Sequence, residues 1–284
     1  METTFAAPGL MTGLGKHAEA VAGLPGDFAG IARAVQGLLI HEFWGDSYQV
    51  ELTDADRETV HLRPADQILD AVLARDDRPL GVSREPGRRT ATNCRGFTVV
   101  SVAMLRAHRV PARARCGFGT YFQPDWFGDH WVVEFHDGYR WRLGDAQIDD
   151  VQRQVLGIDF DLSDVGERFL VAGEAWRRVR AGEADPERFG LNPQDGHGEW
   201  WIAGNVMRDA AALTGLEVLP WDLWGAMPGR GEQVAPGLVD DLAAASREAD
   251  VAAVERLLRD DRLGVPDKVF NVLRERWESL TPAT

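Results

Sequence analysis

The stretch that decides the fold opens Thr92-Asn93-Cys94-Arg95-Gly96-Phe97. It continues through Arg113-Ala114-Arg115-Cys116-Gly117-Phe118-Gly119 and Asp129-His130-Trp131-Val132-Val133, and closes Arg140-Trp141-Arg142-Leu143-Gly144-Asp145-Ala146-Gln147. After Cys94, the residues Phe97, Val100, Ser101, Met104 and Leu105 fall on one stripe at helical spacing, which predicts a helix from Cys94 to His108. Val110-Pro111 stops it, because the residue before a proline is pushed out of the helical region. Ala112 to Phe122 alternates as a strand, Gln123 to Asp129 is a loop, and His130 to His136 alternates again. Asp137-Gly138 is the strongest hairpin signal in the chain, and Tyr139 to Gly144 is the returning strand, with Tyr139, Trp141 and Leu143 on one face. A helix followed by an antiparallel sheet makes the fold class α+β.

Upstream, residues 1–25 are rich in glycine and alanine and read as irregular. Gly26 to Phe43 reads as a helix capped by Asp27, Tyr48 to Leu52 as a short strand, and Pro64 to Arg75 as a second helix. An Arg-rich loop with Pro79, Gly81, Pro86 and Gly87 then delivers the chain to Cys94. Beyond Gln147 the pattern turns mostly helical, over Val151–Leu156, Glu167–Gly182, Glu199–Leu213 and two or three closing helices, with a Trp/Pro/Gly-rich loop from Pro220 to Gly237. No composition break marks a linker. The expected organisation is an irregular segment 1–25, a core 26–150 that holds the Thr92 to Gln147 stretch, and a helical part 151–284 of the same domain.

At 284 residues, 44% hydrophobic and 27% charged, the chain can bury a sizeable core. A net charge of -14 argues against nucleic acid, whose binders carry a basic face. Two cysteines are too few for a disulfide framework, and none of the seven histidines shows metal-ligand spacing, so no metal or cofactor is expected. The start lacks a signal-peptide pattern, and no apolar run approaches the ~20 residues that span a bilayer. The expectation is a cytoplasmic protein with reduced thiols and no membrane partner.

Cys94 begins a helix, His130 begins a strand, and Asp145 follows the next strand. A thiol at a helix N-terminus gains nucleophilic character from the macrodipole and the unpaired N–H groups, and those amides can bind an oxyanion. His130 would act as the base and Asp145 would fix its tautomer. The hairpin brings the start of one strand near the end of the other. Taken singly, a cysteine in an apolar helix is usually packing, a strand-edge histidine a structural hydrogen-bonder, and a strand-end aspartate a turn residue. Cys116, mid-strand, reads as structural.

These motifs resemble the transglutaminase-like superfamily, relatives of papain-like cysteine enzymes. The matching residues are Asn93-Cys94-Arg95 before an apolar helix, Val110-Pro111-Ala112-Arg113 ending it, Asp129-His130-Trp131-Val132, and Trp141 with Asp145. The resemblance covers roughly Ile40 to Gln147. It implies a nucleophile helix on an antiparallel sheet, with Cys94, His130 and Asp145 as nucleophile, base and orienter. Cys116 to Phe122 and Asp145-Ala146-Gln147 resemble a bacterial branch that includes tetramate- and pyridone-forming Dieckmann cyclases of antibiotic biosynthesis. Many members of that branch carry Asp where this chain has Gly96. The implied substrate is an acyl thioester, presented on a carrier protein or as a small molecule. The same triad also serves amide-forming acyltransferases, amidases and proteases, and a catalytically silent member would be a binding domain.

Ten tryptophans are many for this length. They serve either as core filling or as walls of an apolar substrate pocket. Trp126, Phe127, Trp131, Trp200 and Trp201 are the candidate substrate-binding residues, and Trp221 and Trp224 belong to the same C-terminal aromatic cluster. Arg84, Arg88, Arg89 and Arg95 are candidates for a phosphate or an acidic carrier, or else for a solvated loop.

Overall fold

The computed structural model describes residues 5–232 and 234–281. It is a mixed α+β structure that divides into two compact units. Unit 1 comprises residues 1–114 and 131–166, and unit 2 comprises 115–130 and 167–284. Residues 1–4 of the N-terminal segment lie outside the described residues.

In unit 1 the elements run α1 (Ala18–Ala22), α2 (Phe28–Leu38), β1 (Leu39–His41), α3 (Asp54–Glu58), α4 (Ala65–Arg75), β2 (Thr90–Thr92) and α5 (Cys94–Ala107). They continue with the first residues of β3 (Ala112–Gly119), the later residues of β4 (Phe127–His136), β5 (Trp141–Gly144) and α6 (Asp150–Leu156). Asp27 caps α2 through its carboxylate, which accepts from Gly30 N at 2.9 Å, and Phe28, Ile31, Val35 and Leu38 bury its apolar face. Helix α5 packs against α1, α2, α4 and β2. It is buried from Arg95 to Arg106, all round rather than on one stripe, as befits a central core helix. Arg106 ties its C-terminal end down, donating from Nε to Ala112 O at 2.8 Å and from a terminal nitrogen to Thr12 Oγ1 at 2.7 Å. Strand β5 pairs antiparallel with β4, Gly144 opposite Val133 and Trp141 opposite His136, and the hairpin loop is four residues, Asp137 to Arg140. Asp137 Oδ1 accepts from Tyr139 N and Arg140 N, which leaves Tyr139 on the turn and exposed rather than in the strand.

Three expectations for this unit are corrected. The first helix ends at Leu38, because Leu39–His41 pairs in parallel with Thr90–Thr92 instead of continuing the turn. Tyr48–Leu52 is not a strand; a 3-10 turn spans Gly45–Tyr48 and Gln49 closes it in the left-handed region at φ 57°. The N-terminal segment is not irregular throughout: it holds α1, and Phe5, Met11, Leu14 and Val21 are buried. Those apolar residues are spaced too widely for a periodic signal, yet each contributes area to the core.

Unit 2 takes the end of β3 and the start of β4, then β6 (Phe169–Val171), α7 (Ala172–Arg180), β7 (Phe189–Asn192), β8 (Asp195–His197), α8 (Glu199–Leu213), β9 (Asp222–Leu223), α9 (Pro236–Arg247), α10 (Val251–Leu257), β10 (Lys268–Asn271) and β11 (Arg276–Ser279). Helices α7, α8 and α9 pack on one another. Strand β6 pairs antiparallel with β3, and β7 pairs in parallel with β4 at Phe127 and Gly128 and antiparallel with β8. Strands β9, β10 and β11 form a separate antiparallel sheet. The C-terminal part therefore adds short strands to its helices, and with β1–β2 and β4–β7 parallel the strand pairing is not purely antiparallel. The six strands after residue 166 are two to four residues each, too short to show period-two alternation.

A buried ion pair holds unit 2 together. Asp209 on α8 accepts from Arg115 at 2.9 and 3.0 Å, from Cys116 N at 2.9 Å and from Ser246 Oγ at 2.6 Å. Arg115 also donates to Ser246 O at 2.9 Å. Pair and partners are buried, so both carboxylate oxygens are satisfied inside the core. Among the described residues no helix is long and apolar enough to cross a membrane.

Candidate active site

Cys94 is the first residue of α5. The preceding Asn93 is extended and its Oδ1 accepts from Gly96 N at 3.0 Å, a capping contact of about 1 kcal/mol. Its Nδ2 donates to Val60 O at 3.1 Å, so one amide fixes the helix start to the neighbouring turn. Neither cysteine is in a disulfide; Cys94 is half-buried and Cys116 buried. Arg95 is fully buried and donates to Arg63 O, placing a cation at the same helix end. The site's first turn is thus capped, positively biased and reachable through one side chain, Cys94.

Gly96 has a steric cause. A Cβ built on residue 96 would come within 1.9 Å of Thr92 Oγ1, so the Thr92 hydroxyl fills the space that a side chain there would take. No acid, and no alanine, fits beside it. Gly96→Ala is expected to destabilise the protein by about 1–3 kcal/mol. Adding Thr92→Ala should recover most of that loss. Urea unfolding of the two single variants and the double variant checks this, and strictly additive effects would rule out the clash.

His130 lies on β4 and is buried. Its ring packs edge-to-face with Phe122, centroids 4.8 Å apart, and with Tyr121 and Phe169 at 6.2 and 6.4 Å. Gly119 and Gly128 leave room for Phe122: a Cβ at either would meet its ring at 2.8 or 3.0 Å. The aromatic packing around His130 therefore comes from Phe169 and from Tyr121 and Phe122, the end of the Cys116–Phe122 motif, none of which the sequence reading had placed beside His130. The adjacent Asp129 is half-buried with its carboxyl turned inward, and its Oδ2 accepts from Trp201 Nε1 at 2.7 Å. Burial pushes its carboxyl well above the usual carboxylate range, against the opposing pull of Arg208 and the hydrogen bond from Trp201.

Asp145 directly follows β5 and is buried. Its Oδ1 accepts from Gln147 N at 2.9 Å and Ile148 N at 3.4 Å, and its own N–H donates to Leu162 O at 2.8 Å. The segment after it is pinned by a relay. Gln147 donates to Gln152 Oε1, Gln152 to Tyr48 Oη, and Tyr48 Oη to Asp149 Oδ1, at 3.2, 3.2 and 2.6 Å. Asp149 also caps α6 and accepts from Arg89 at 3.2 Å. Burial, and then the Asp149 carboxylate, raise the Tyr48 pKa above its ordinary value.

Of the five candidate pocket residues, Trp126, Phe127, Trp200 and Trp201 belong to unit 2 and Trp131 to unit 1. Trp126 is buried and donates to Gly190 O at 3.2 Å, and Phe127 stacks on Phe189 with centroids 4.1 Å apart. Trp200 and Trp201 are half-buried and meet edge-to-face at 5.2 Å. Trp131, in unit 1, is buried, and its indole N–H has no acceptor among the described residues. Of the four arginines, Arg84 is buried and donates to the carbonyls of Asp76, Arg78, Pro79 and Val82, organising the loop from within. Arg89 and Arg95 are likewise spent on internal partners, and Arg88 is exposed. No group of three or more His, Cys, Asp or Glu side chains among the described residues is placed to hold a metal ion.

Glu42 is a titratable residue whose backbone the β1–β2 ladder sets beside Asn93, and sequence reasoning passed over it. The β1–β2 ladder sets His41 opposite Thr92, and it runs one bond further, Glu42 N donating to Thr92 O at 2.8 Å. Burial raises its carboxyl from 4.5 to about 7, with Arg57 opposing. The folded protein thus holds this proton more tightly than the unfolded chain does. Stability contributed by the neutral form is present below pH 4.5 and is lost as pH rises through about 7. Glu42→Gln should therefore raise stability at pH 8 by about 1–3 kcal/mol, after allowance for partial water access, and leave it unchanged at pH 4. Equal shifts at both values in urea titrations would refute the burial cost.

A half-buried thiol heading a capped helix, within a mixed α+β fold, is an arrangement suited to nucleophilic acyl chemistry. The family comparison agrees: the model of the Transglutaminase-like superfamily matches residues 74–146, about a quarter of the chain, from the end of α4 to just past Asp145. Members of that superfamily are generally enzymes with Cys-His-Asp triads, which points to cysteine-dependent acyl-transfer or proteolytic activity. No curated protein and no solved structure shows a significant match to the chain.

Proposed function

We propose that this protein is a cysteine-dependent acyl-transfer enzyme in which Cys94 is the nucleophile, His130 the base and Asp145 its orienter. The observation that carries the reading is Cys94 at the first position of a capped helix, inside the family match. The helix N-terminus stabilises negative charge on the sulfur, and its free N–H groups suit the oxyanion of a tetrahedral intermediate. The β4–β5 register supports the other two roles. With Gly144 opposite Val133, Asp145 leaves the ladder level with Val132, two residues along β4 from His130. In the first half-reaction Cys94 attacks an acyl thioester, its proton passes to His130, and that proton leaves with the departing thiol.

The finer reading is ring closure. A β-ketoacyl-aminoacyl thioester, free or on a carrier protein, acylates Cys94. The acidic carbon between the ketone and the amide then attacks the acyl group to give a tetramate-like product. Support for this step comes from the sequence resemblance of Cys116–Phe122 and Asp145–Gln147. The test is to incubate the protein with a synthetic β-ketoacyl-aminoacyl thioester and identify the product by mass. Loss of thiol without gain of water is ring closure. Free acid as the main enzymatic product would leave a hydrolase, and no reaction together with ordinary labelling of Cys94 would leave a binding domain.

Asp145→Asn should cut turnover by about 10²–10⁴-fold, because an amide cannot hold the required histidine tautomer. The fold should survive, since Oδ1 can still accept from Gln147 and Ile148 N–H. A rate within about threefold of the parent would remove Asp145 from the mechanism.

A further inference from the structure

We propose that β11 is a self-association surface, on which a second copy of this chain lays its own β11 antiparallel to the first. Strand β11 is the margin of the β9–β10–β11 sheet, and among the described residues no strand pairs with its outer side. The ladder shows which backbone groups are left over. Leu280 N donates to Asp267 O at 3.0 Å, so Leu280, Glu278 and Arg276 sit in the hydrogen-bonded pairs with β10. By alternation, Trp277 and Ser279 direct their N–H and C=O groups away from β10, to the open edge. The side chains add an apolar surface there. Val269, Asn271 and Leu280 are buried, whereas Leu223, Phe270 and Trp277 form a row across the opposite face of the three strands. Trp277 is 63% exposed and packs edge-to-face on Phe270 at 5.7 Å. Leu273 and Val272, in the turn that leads into β11, are 59% and 41% exposed. An open edge joined to an apolar patch is a surface built to be covered.

Charge identifies the occupant. The sequence Arg276-Trp277-Glu278 is complementary to itself when read antiparallel. With Trp277 opposite the second copy's Trp277, Arg276 falls opposite the second copy's Glu278, and Glu278 opposite its Arg276. Opposite charges then face each other on both sides of a two-fold axis, and two indoles meet on it. The same register makes Trp277 a hydrogen-bonded pair with its copy, which is what its outward N–H and C=O require. A slip of one residue sets Trp277 against a charged side chain and breaks both ion pairs. The charges are fixed before the copies meet: Glu278 accepts from Arg276 at 2.8 Å, Asn271 at 2.9 Å and Arg274 at 3.1 Å. Two chains of net charge -14 repel elsewhere, but the apolar row is flanked on its own face by Lys268 and Ser279 and carries no carboxylate. Pairing consumes this edge, so association closes at two copies.

Sedimentation equilibrium of the full chain over about a hundredfold range of concentration is the test. The mass is expected to rise from 31.4 kDa and to level at twice that value. Trp277→Asp changes an exposed side chain and sets two carboxylates on the axis, so it should weaken association at least about thirtyfold. Val155→Asp, at an equally exposed apolar position on α6, should leave it unchanged. The register has its own readout. Under mild oxidation Trp277→Cys should link two copies, because the paired Cα atoms lie about 5.5 Å apart, within disulfide reach. Leu273→Cys, also exposed but four residues from the axis, should not. The proposal is overturned if the parent stays at 31.4 kDa throughout or its mass climbs without levelling. It is equally overturned if Trp277→Asp associates like the parent, if Val155→Asp weakens association as much, or if the two cysteine variants cross-link equally.

Discussion

Cys94→Ala is expected to lower turnover of an acyl thioester by at least about 10⁴-fold, the scale seen when the nucleophile of a triad is removed. The loss is chemical rather than structural. Asn93 supplies the cap, the backbone carbonyl of residue 94 still accepts from the Thr98 hydroxyl, and alanine is the best helix former. The variant should therefore unfold at the same urea concentration as the parent. Intact-mass spectrometry after exposure to acetyl thioester reads the same point directly: the parent gains one acyl group and the variant gains none. Cys116 is an internal control, because it is buried on β3 and should not acylate. An adduct that persists in Cys94→Ala would mean that the nucleophile lies elsewhere.

Asp209→Ala should have the largest effect on stability, about 3–5 kcal/mol. Four hydrogen bonds converge on this carboxylate, from two nitrogens of Arg115, from Cys116 N and from Ser246 Oγ. Removing it leaves a guanidinium buried without its countercharge and orphans a backbone N–H on β3. Against a typical total of about 5–15 kcal/mol, such a loss leaves the protein marginal or unfolded. Urea titration of Asp209→Ala measures it. A change below about 1 kcal/mol would mean that the pair merely occupies the core.

Local patterns made the nucleophile helix readable. Asn93 as cap, the apolar run behind it and the Val110-Pro111 stop place α5 within a residue of where it is found. The strand carrying His130 was visible from its alternation, although it starts three residues earlier, because Phe127 and Gly128 pair with a strand some sixty residues downstream. What escaped has a common cause, dependence on partners far along the chain. Leu39–His41 continues an apolar helix by composition and becomes a strand only because Thr90–Thr92 lies beside it. Glu42 gains its position from that same ladder. Trp201 looked like a pocket wall, yet its indole N–H is engaged by Asp129, 72 residues away. Arg115 and Asp209 carry no mutual mark across 94 residues.

The interleaving of the two units bears on biosynthesis. Neither unit is encoded by a contiguous stretch: Arg115–His130 emerges from the ribosome before the rest of unit 2, and Trp131–Gly166 must follow before unit 1 is complete. During that interval the end of β3 and the start of β4 lack Phe169–Val171 and Phe189–Asn192, the strands that will pair with them. They carry Cys116, Phe118, Trp126 and Phe127 into solvent beside open backbone edges, the kind of surface that templates aggregation. A gene cut after Gly166 would make that interval permanent. Its product should aggregate although it contains every residue of unit 1, and the yield of the whole chain should depend on how quickly translation carries it from Gly166 to Asn192.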